Sequence, residues 1–350
     1  MVRKLTTVLT VAFVGCATLC SDTALALEGE PPSAAPMSPT ATVPATGRLK
    51  LTVEGAHGSP RFAAIGERIA IAGGVRPYVA GQGVVVSIYR NGRRVLGRRL
   101  SVAPASGGTG RFRISYASPH SGLLTIRAEH PATPQLAKLE AKAVSVRYEP
   151  STLGVGSRGR VVRLLQDELA HLRYQVSVSG YYDEATGRAV VAFRKVAGQQ
   201  RVESVNARIF QLLQRGAGGF HVRYPGDGNH VEADLSKQVL AEIERGGRVR
   251  RIITISSGKP STPTVIGRFH VYSKEPGTNS HGMVDSSYFI GGYAIHGYAE
   301  VPTYAASHGC LRIPIPDAAS VYAWVQYGYA VDVYTDSGRG SRTVRGNAGP

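Results

Sequence analysis

The spacing of apolar residues changes period twice along this 350-residue chain, so no single repeating element can account for it. From residue 48 short strand-like runs recur, such as Leu49-Lys50-Leu51-Thr52-Val53, in which alternation puts one face against a core. From residue 150 Val161, Val162, Leu164, Leu165, Leu169 and Leu172 recur at helical spacing. Beyond residue 230 the strand-like runs return. Length alone suits two or three domains. Glycine (42) and tyrosine (17) are frequent while methionine (3) and tryptophan (1) are rare, which favours turn-rich β architecture over a helical bundle. The expected fold class is multidomain and mainly β.

Residues 48–148 hold about seven such runs. Among them are Arg68-Ile69-Ala70-Ile71-Ala72-Gly73, Val84 to Tyr89, Gly110 to Tyr116, Gly122 to Ala128 and Ala143 to Tyr148. Arg90-Asn91-Gly92-Arg93 separates two runs, and Asn-Gly there signals a hairpin. The pattern predicts a β-sandwich and resembles the Ig-like modules of bacterial surface proteins. His57, His120 and His130 stand alone among turn residues and are expected at the surface.

Residues 150–215 predict three helices. The first follows Gly156-Ser157-Arg158-Gly159, the second opens at Asp183-Glu184-Ala185-Thr186, and the third runs from Ser204 to Leu213. The second carries Ala189, Val190, Phe193 and Val196 on one face. The stretch LGVGSRGRVVRLLQDELAHLRYQV, followed by GYYDEATGRAVVAFRKVAGQ, resembles the peptidoglycan-binding domain 1 family over about 50 residues. That resemblance implies a three-helix module that binds cell-wall glycopeptide.

Residues 216–229 are glycine-rich and read as a linker. Residues 230–335 predict a strand meander with turns at Gly246-Gly247 and Gly258-Lys259-Pro260, a short helix from Asp317 to Val325, and a last strand from Ala330 to Tyr334. Residues 273–292 read as a mobile lid, and residues 336–350 as a disordered tail.

Within this last region Ile295-His296-Gly297 and Ser307-His308-Gly309-Cys310-Leu311-Arg312 bring a thiol and two imidazoles into one short stretch. A thiol with an ordinary pKa of about 8.5 needs a neighbouring base to attack at neutral pH. If 307–312 is extended, residues 308, 310 and 312 share a face. The Gly309 and Cys310 N–H groups are then candidate oxyanion donors. The residues do not separate the two histidines. The two segments, in this order and behind Ser256-Ser257-Gly258-Lys259-Pro260-Ser261-Thr262-Pro263-Thr264, resemble the L,D-transpeptidase (YkuD-like) family. The resemblance implies a β-rich catalytic domain in which Cys310 forms a thioester with a peptidoglycan stem. It also implies His296 as general base and His308 as the group that orients the thiol. Ser307 is expected to support a ring nitrogen, and Arg312 either binds a substrate carboxylate or closes a salt bridge. Gly297 and Tyr288 are further candidates, Tyr288 because some relatives place a lid tyrosine near the oxyanion. Ser280-His281-Gly282-Met283 copies the first three residues of the motif but lacks the thiol, and reads as lid with Met283 shaping a pocket.

Residues 1–26 read as a signal peptide: Arg3 and Lys4, an apolar run to Val14, then Ala24-Leu25-Ala26 as a cleavage site. Residues 27–47 are a Pro/Ala/Thr-rich linker. Cleavage removes Cys16 and Cys20 and leaves Cys310 as the only thiol. Lipidation at Cys16 is the alternative and would add membrane association. The expected location is the periplasm or cell wall. The formal charge of +17 suits an anionic cell wall, and without a basic tract or RNP-like motif nucleic acid is not an expected partner. One cysteine and scattered histidines lack zinc-ligand spacing, so neither metal nor cofactor is expected. The expected partners are peptidoglycan stem peptides and glycan. The leading expectation is a transpeptidase forming 3→3 cross-links with release of D-Ala. A carboxypeptidase using the same acyl-enzyme and a non-catalytic wall-binding protein are the alternatives.

Overall fold

The computed structural model describes residues 43–336. The expected signal peptide, the linker up to residue 42 and the tail from residue 337 lie outside them. The described chain is mainly β, with four α-helices.

The first region contains β1 (Arg48–Glu54), β2 (Phe62–Ala64), β3 (Ile69–Arg76), β4 (Gly83–Arg90), β5 (Arg93–Ser101), β6 (Ala103–Ala105), β7 (Thr109–Tyr116), β8 (Gly122–His130), β9 (Leu139–Glu140) and β10 (Val144–Glu149). One sheet has the order β1-β3-β7-β6, the other β2-β10-β8-β4-β5 with β9 on β8. Leu49, Ile69, Ile71 and Phe112 from the first share a core with Val84, Ile88, Ile126 and Val146 from the second. The β4–β5 turn has Asn91 at φ 49° and Gly92 at φ 84°, a pair of left-handed residues whose twist matches the flanking strands. His130 departs from the surface expectation. It continues the inward register of Leu124, Ile126 and Ala128 on β8, is 1% exposed, and burial lowers its pKa. His57 is half-buried and bonds Glu67 at 2.9 Å, while His120 is exposed.

The helices are α1 (Arg160–His171), α2 (Glu184–Val196) and α3 (Ala207–Gln214). Asp183 caps α2 by accepting the Thr186 N–H at 2.8 Å. Gln166 on α1 is fully buried; its amide oxygen accepts from Ser179 and Gly180 N–H, and its amide nitrogen donates to Tyr181 O and Thr186 Oγ1. One glutamine thus ties α1, the following turn and the start of α2 together. The third helix begins three residues later than expected, because Asn206 caps it through the Arg208 N–H and Val205 pairs with Leu153 instead.

The last region contains β11 (His230–Asp234), β12 (Val239–Glu244), β13 (Arg248–Thr254), β14 (Gly267–His270), β15 (Ser273–Thr278), β16 (Val284–Ile290), β17 (Tyr293–Tyr298), β18 (Leu311–Pro314), α4 (Ile315–Trp324) and β19 (Ala330–Tyr334). One sheet has the order β13-β12-β11-β19-β14, the other β15-β16-β17-β18. The residues expected to form a lid are the β15–β16 hairpin. Val231, Leu240 and Ile253 of the first sheet pack with Ile295, Leu311 and Ile313 of the second and with Val321 of α4. The opposite face of the first sheet, through Val239, Ala241, Ile243 and Ile252, shares its core with the three helices. Burial on both faces is why β11 and β12 are buried at nearly every position. The glycine-rich stretch before β11 is held by Phe220 and Val222 on the helical core. Its Arg223 and Tyr224 N–H groups donate to Glu232.

Candidate active site

Ser307-His308-Gly309-Cys310 makes a tight turn into β18. The Ser307 hydroxyl donates to Cys310 O at 2.7 Å and accepts the Gly309 N–H at 3.0 Å. Gly309 has φ +124°, and a Cβ there would lie 1.9 Å from the Tyr293 ring, so only glycine fits. The segment after β13 clamps the turn from below. Ser257 O accepts the Ala306 and Ser307 N–H groups at 2.8 and 2.9 Å, and Lys259 N donates to Ser307 O at 2.9 Å. Ser256 and Arg312 exchange backbone bonds at 3.0 and 3.1 Å.

Above the turn lies a cavity of about 380 Å3 lined by His281, Met283, His296, Tyr298, Ser307, His308, Cys310 and Arg312. His296 on β17 stands opposite Arg312 in the parallel β17–β18 register. It is 2% exposed. Its Nδ1 lies 2.8 Å from Gly297 O. A carbonyl only accepts, so Nδ1 carries the proton and Nε2 keeps its lone pair. Burial, aided by the charge of Arg312, holds the imidazole below its ordinary 6.5. The Cys310 thiol is half-buried, 3.7 Å from Gly292 O. Burial pushes it above the ordinary thiol range, partly offset by the Ala294 backbone and Arg312. Thiol and imidazole therefore both rest neutral near pH 7.

His308 lines the cavity, but its Nε2 lies 3.2 Å from the Lys259 ammonium, a group that only donates. The Arg312 guanidinium stacks 4.0 Å over the Tyr298 ring and enters no ion pair among the described residues. Ser307 supports the backbone of the turn, where a ring nitrogen was expected. The Gly309 N–H, expected to face an oxyanion, is taken by Ser307 Oγ, and among the described residues no hydrogen bond occupies the Cys310 N–H. Gly297 is a packing residue: a Cβ there would come 2.7 Å from the Ala318 Cβ on α4. Tyr288 is not brought into the cavity; its hydroxyl donates to Glu275 across the hairpin at 2.7 Å.

Sequence reasoning missed the support that reaches the turn from the helical module. Lys195 on α2 is 3% exposed. Its ammonium contacts Gln238 O at 3.0 Å, Thr254 Oγ1 at 2.6 Å and Ile255 O at 3.0 Å. Burial, then the charge of Arg201, pulls its pKa down to about 7. The Gln238 amide bonds both the N–H and the hydroxyl of Ser257, at 2.9 and 2.6 Å. Ser257 in turn holds Ser307. A chain of buried hydrogen bonds thus runs from α2 to the cysteine turn. Nearby, Arg201 donates to Thr303 O at 2.7 Å and to Ser236 O at 3.0 Å. The one available signal was a lysine four residues after Val191, on the buried side of α2.

The YkuD family, described as the L,D-transpeptidase catalytic domain, matches residues 228–333. L,D-transpeptidase 1 of Mycobacterium tuberculosis is 31% identical over 117 residues, covering 26% of this chain and 45% of that protein. The chain therefore spans about half the length of the curated relatives it matches. Among solved structures, an L,D-transpeptidase from Xylanimonas cellulosilytica is 35% identical, with a TM-score of 0.49, covering 53% of this chain and 98% of that one. An L,D-transpeptidase from Stackebrandtia nassauensis is 21% identical, with a TM-score of 0.35, covering 53% of this chain and 97% of that one. With the family match spanning both β11 and β19, the thiol–imidazole cavity sits inside a domain of known type: residues 228–333 are an L,D-transpeptidase catalytic domain of the YkuD family.

Proposed function

We propose that this protein is an exported cysteine L,D-transpeptidase that joins peptidoglycan stems through 3→3 cross-links. The observation that carries this reading is one cavity containing the Cys310 thiol, a neutral His296 with an open Nε2, and an Arg312 that enters no ion pair among the described residues. His296 takes the thiol proton, and the thiolate adds to the carbonyl carbon of the L–D bond of a tetrapeptide stem. The Cys310 N–H donates to the oxygen that becomes negative. Collapse breaks the C–N bond, and the imidazolium returns the proton to the departing D-Ala amine. The resulting thioester is attacked by the side-chain amine of a second stem, which loses its proton to His296 and releases the thiol. His296 is favoured over His308 because Lys259 already occupies the His308 Nε2. Arg312, held flat by Tyr298, is suited to a stem carboxylate. The helical module is assigned to wall glycopeptide, and the charge of the chain to retention at an anionic wall.

The test is incubation of wild type and Cys310→Ala with tetrapeptide muropeptides, followed by mass spectrometry. A 3→3 dimer from wild type alone is the expected result. Tripeptide alone would replace transfer by hydrolysis, and no product together with no carbapenem adduct would refute both.

A further inference from the structure

The surplus of seventeen positive charges is not spread evenly. Between Arg48 and Glu149 sixteen Lys and Arg face five Glu and no Asp, so eleven of the seventeen belong to the sandwich. The cavity at Cys310 uses none of them. On the sheet β1-β3-β7-β6, Arg48, Lys50, Arg76, Arg111 and Arg113 all point away from the core. Arg48 lies directly opposite Arg76, and Lys50 lies opposite Gly74, which in turn lies opposite Arg111. The central strand β3 therefore presents Ala72 and Gly74 as a floor between two banks of long cations, which stand about 10 Å apart, two strand spacings. One end of this trough opens as a cavity of about 690 Å3 bounded by Thr46, Arg48, Lys50, Gly74, Arg76 and Thr109.

Arg113 is paired with Glu54 at 2.7 Å. Among the described residues Arg48, Lys50, Arg76 and Arg111 enter no ion pair. Like charges placed directly opposite each other weaken a strand pair, so Arg48 beside Arg76 works against the fold unless something negative lies between them. We propose that this trough binds a linear phosphodiester polymer without bases. A phosphodiester's two free oxygens diverge, so Lys50 and Arg111 grip one phosphate from opposite banks. A carboxylate presents its two oxygens along one edge, which a single guanidinium satisfies. The floor of Ala72 and Gly74 offers no aromatic ring, which separates this surface from a stacking site for single-stranded nucleic acid. The inference does not depend on the chemistry at Cys310.

The experiment measures binding of the full chain to poly(glycerol phosphate) across a salt series, with single-stranded DNA and poly-glutamate of matched charge as competitors. The triple variant Arg48→Gln, Lys50→Gln, Arg111→Gln is expected to lose at least tenfold in affinity, with the salt slope falling by about 2. The control variant Arg93→Gln, Arg94→Gln, Arg98→Gln removes equal charge from β5 on the other sheet and is expected to lose less than threefold. Thermal melting curves of both variants report that they are folded. Arg48→Gln alone is expected to raise the melting temperature without polymer and to cancel that gain with it. Equal losses in both triple variants, or stronger binding of DNA or poly-glutamate than of poly(glycerol phosphate), would overturn the proposal.

Discussion

Two tetrapeptides in this chain read alike, Ser280-His281-Gly282-Met283 and Ser307-His308-Gly309-Cys310, and both contribute to the wall of one cavity. Their support differs. The first is the tip of the β15–β16 hairpin, held by Asn279 alone: its Oδ1 accepts the His281 and Met283 N–H groups at 3.0 and 3.1 Å. Gly282 also has a left-handed φ of +71°, but a Cβ there would come no closer than 3.7 Å to its nearest contact, the Tyr298 ring. The second is clamped from below by Ser257 and Lys259, closed by its own serine, and packed so tightly that Gly309 has no room for a side chain. Three shared residues do not make a site. The buried frame behind one of the two turns does.

The largest expected effect comes from exchanging the chemistry of the turns. Cys310→Ala should abolish acylation by a carbapenem, and adding Met283→Cys to it should not restore acylation, because the hairpin tip lacks the Ser257 and Lys259 clamp that fixes the Ser307–Cys310 turn. Intact-protein mass reads both. Next, Gly309→Ala drives a methyl group into the Tyr293 ring. It should lower acylation at least tenfold and cost about 1–3 kcal/mol in denaturant unfolding, as overpacking does, while Gly282→Ala changes acylation less than threefold.

Lys195→Met tests whether the frame reaches back to the helical module. It leaves Thr254 Oγ1 and Ile255 O without this donor, at about 1–3 kcal/mol for each group that stays unsatisfied, while Gln238 O keeps the Ile255 N–H at 3.0 Å. Acylation should slow with little change in carbapenem binding. The folded state holds Lys195 near 7 while the unfolded chain holds it near 10.5, so the unfolded chain binds more protons between those values. Wild type should therefore gain stability relative to Lys195→Met as pH rises from 7 to 10, read by denaturant midpoints.

The smallest effect is in the acylation profile of wild type. With His296 held below 6.5 and Cys310 above 9.0, acylation should stay flat across pH 7–8.5 and fall only below the ordinary histidine range. A rise through pH 8.5 would instead mean that the thiolate forms without His296.

Local signals were legible where one short segment decides the structure. Asn91-Gly92 specified the β4–β5 turn, and Asp183 with Thr186 specified the start of α2. The spacing of His296, Ser307, His308, Cys310 and Arg312 anticipated residues that do line one cavity. What escaped were partners remote in sequence. Lys195 and Ile255 are 60 residues apart, and a single buried lysine leaves no periodic trace. Tyr288 was read as part of a lid, because its place on β16 and its bond to Glu275 follow from the β15–β16 register. His130 looked isolated because its burial follows from the β8 register rather than from its neighbours in sequence.

The most direct test of the central claim is the intact mass of the protein during turnover of a tetrapeptide donor in the absence of an acceptor amine. Wild type should gain the mass of the donor less D-Ala, mapped to Cys310, and His296→Ala should form that adduct about 100-fold or more slowly while His308→Ala retains most of the rate. An adduct that persists in Cys310→Ala, or one whose formation depends on His308 and not on His296, would contradict the account.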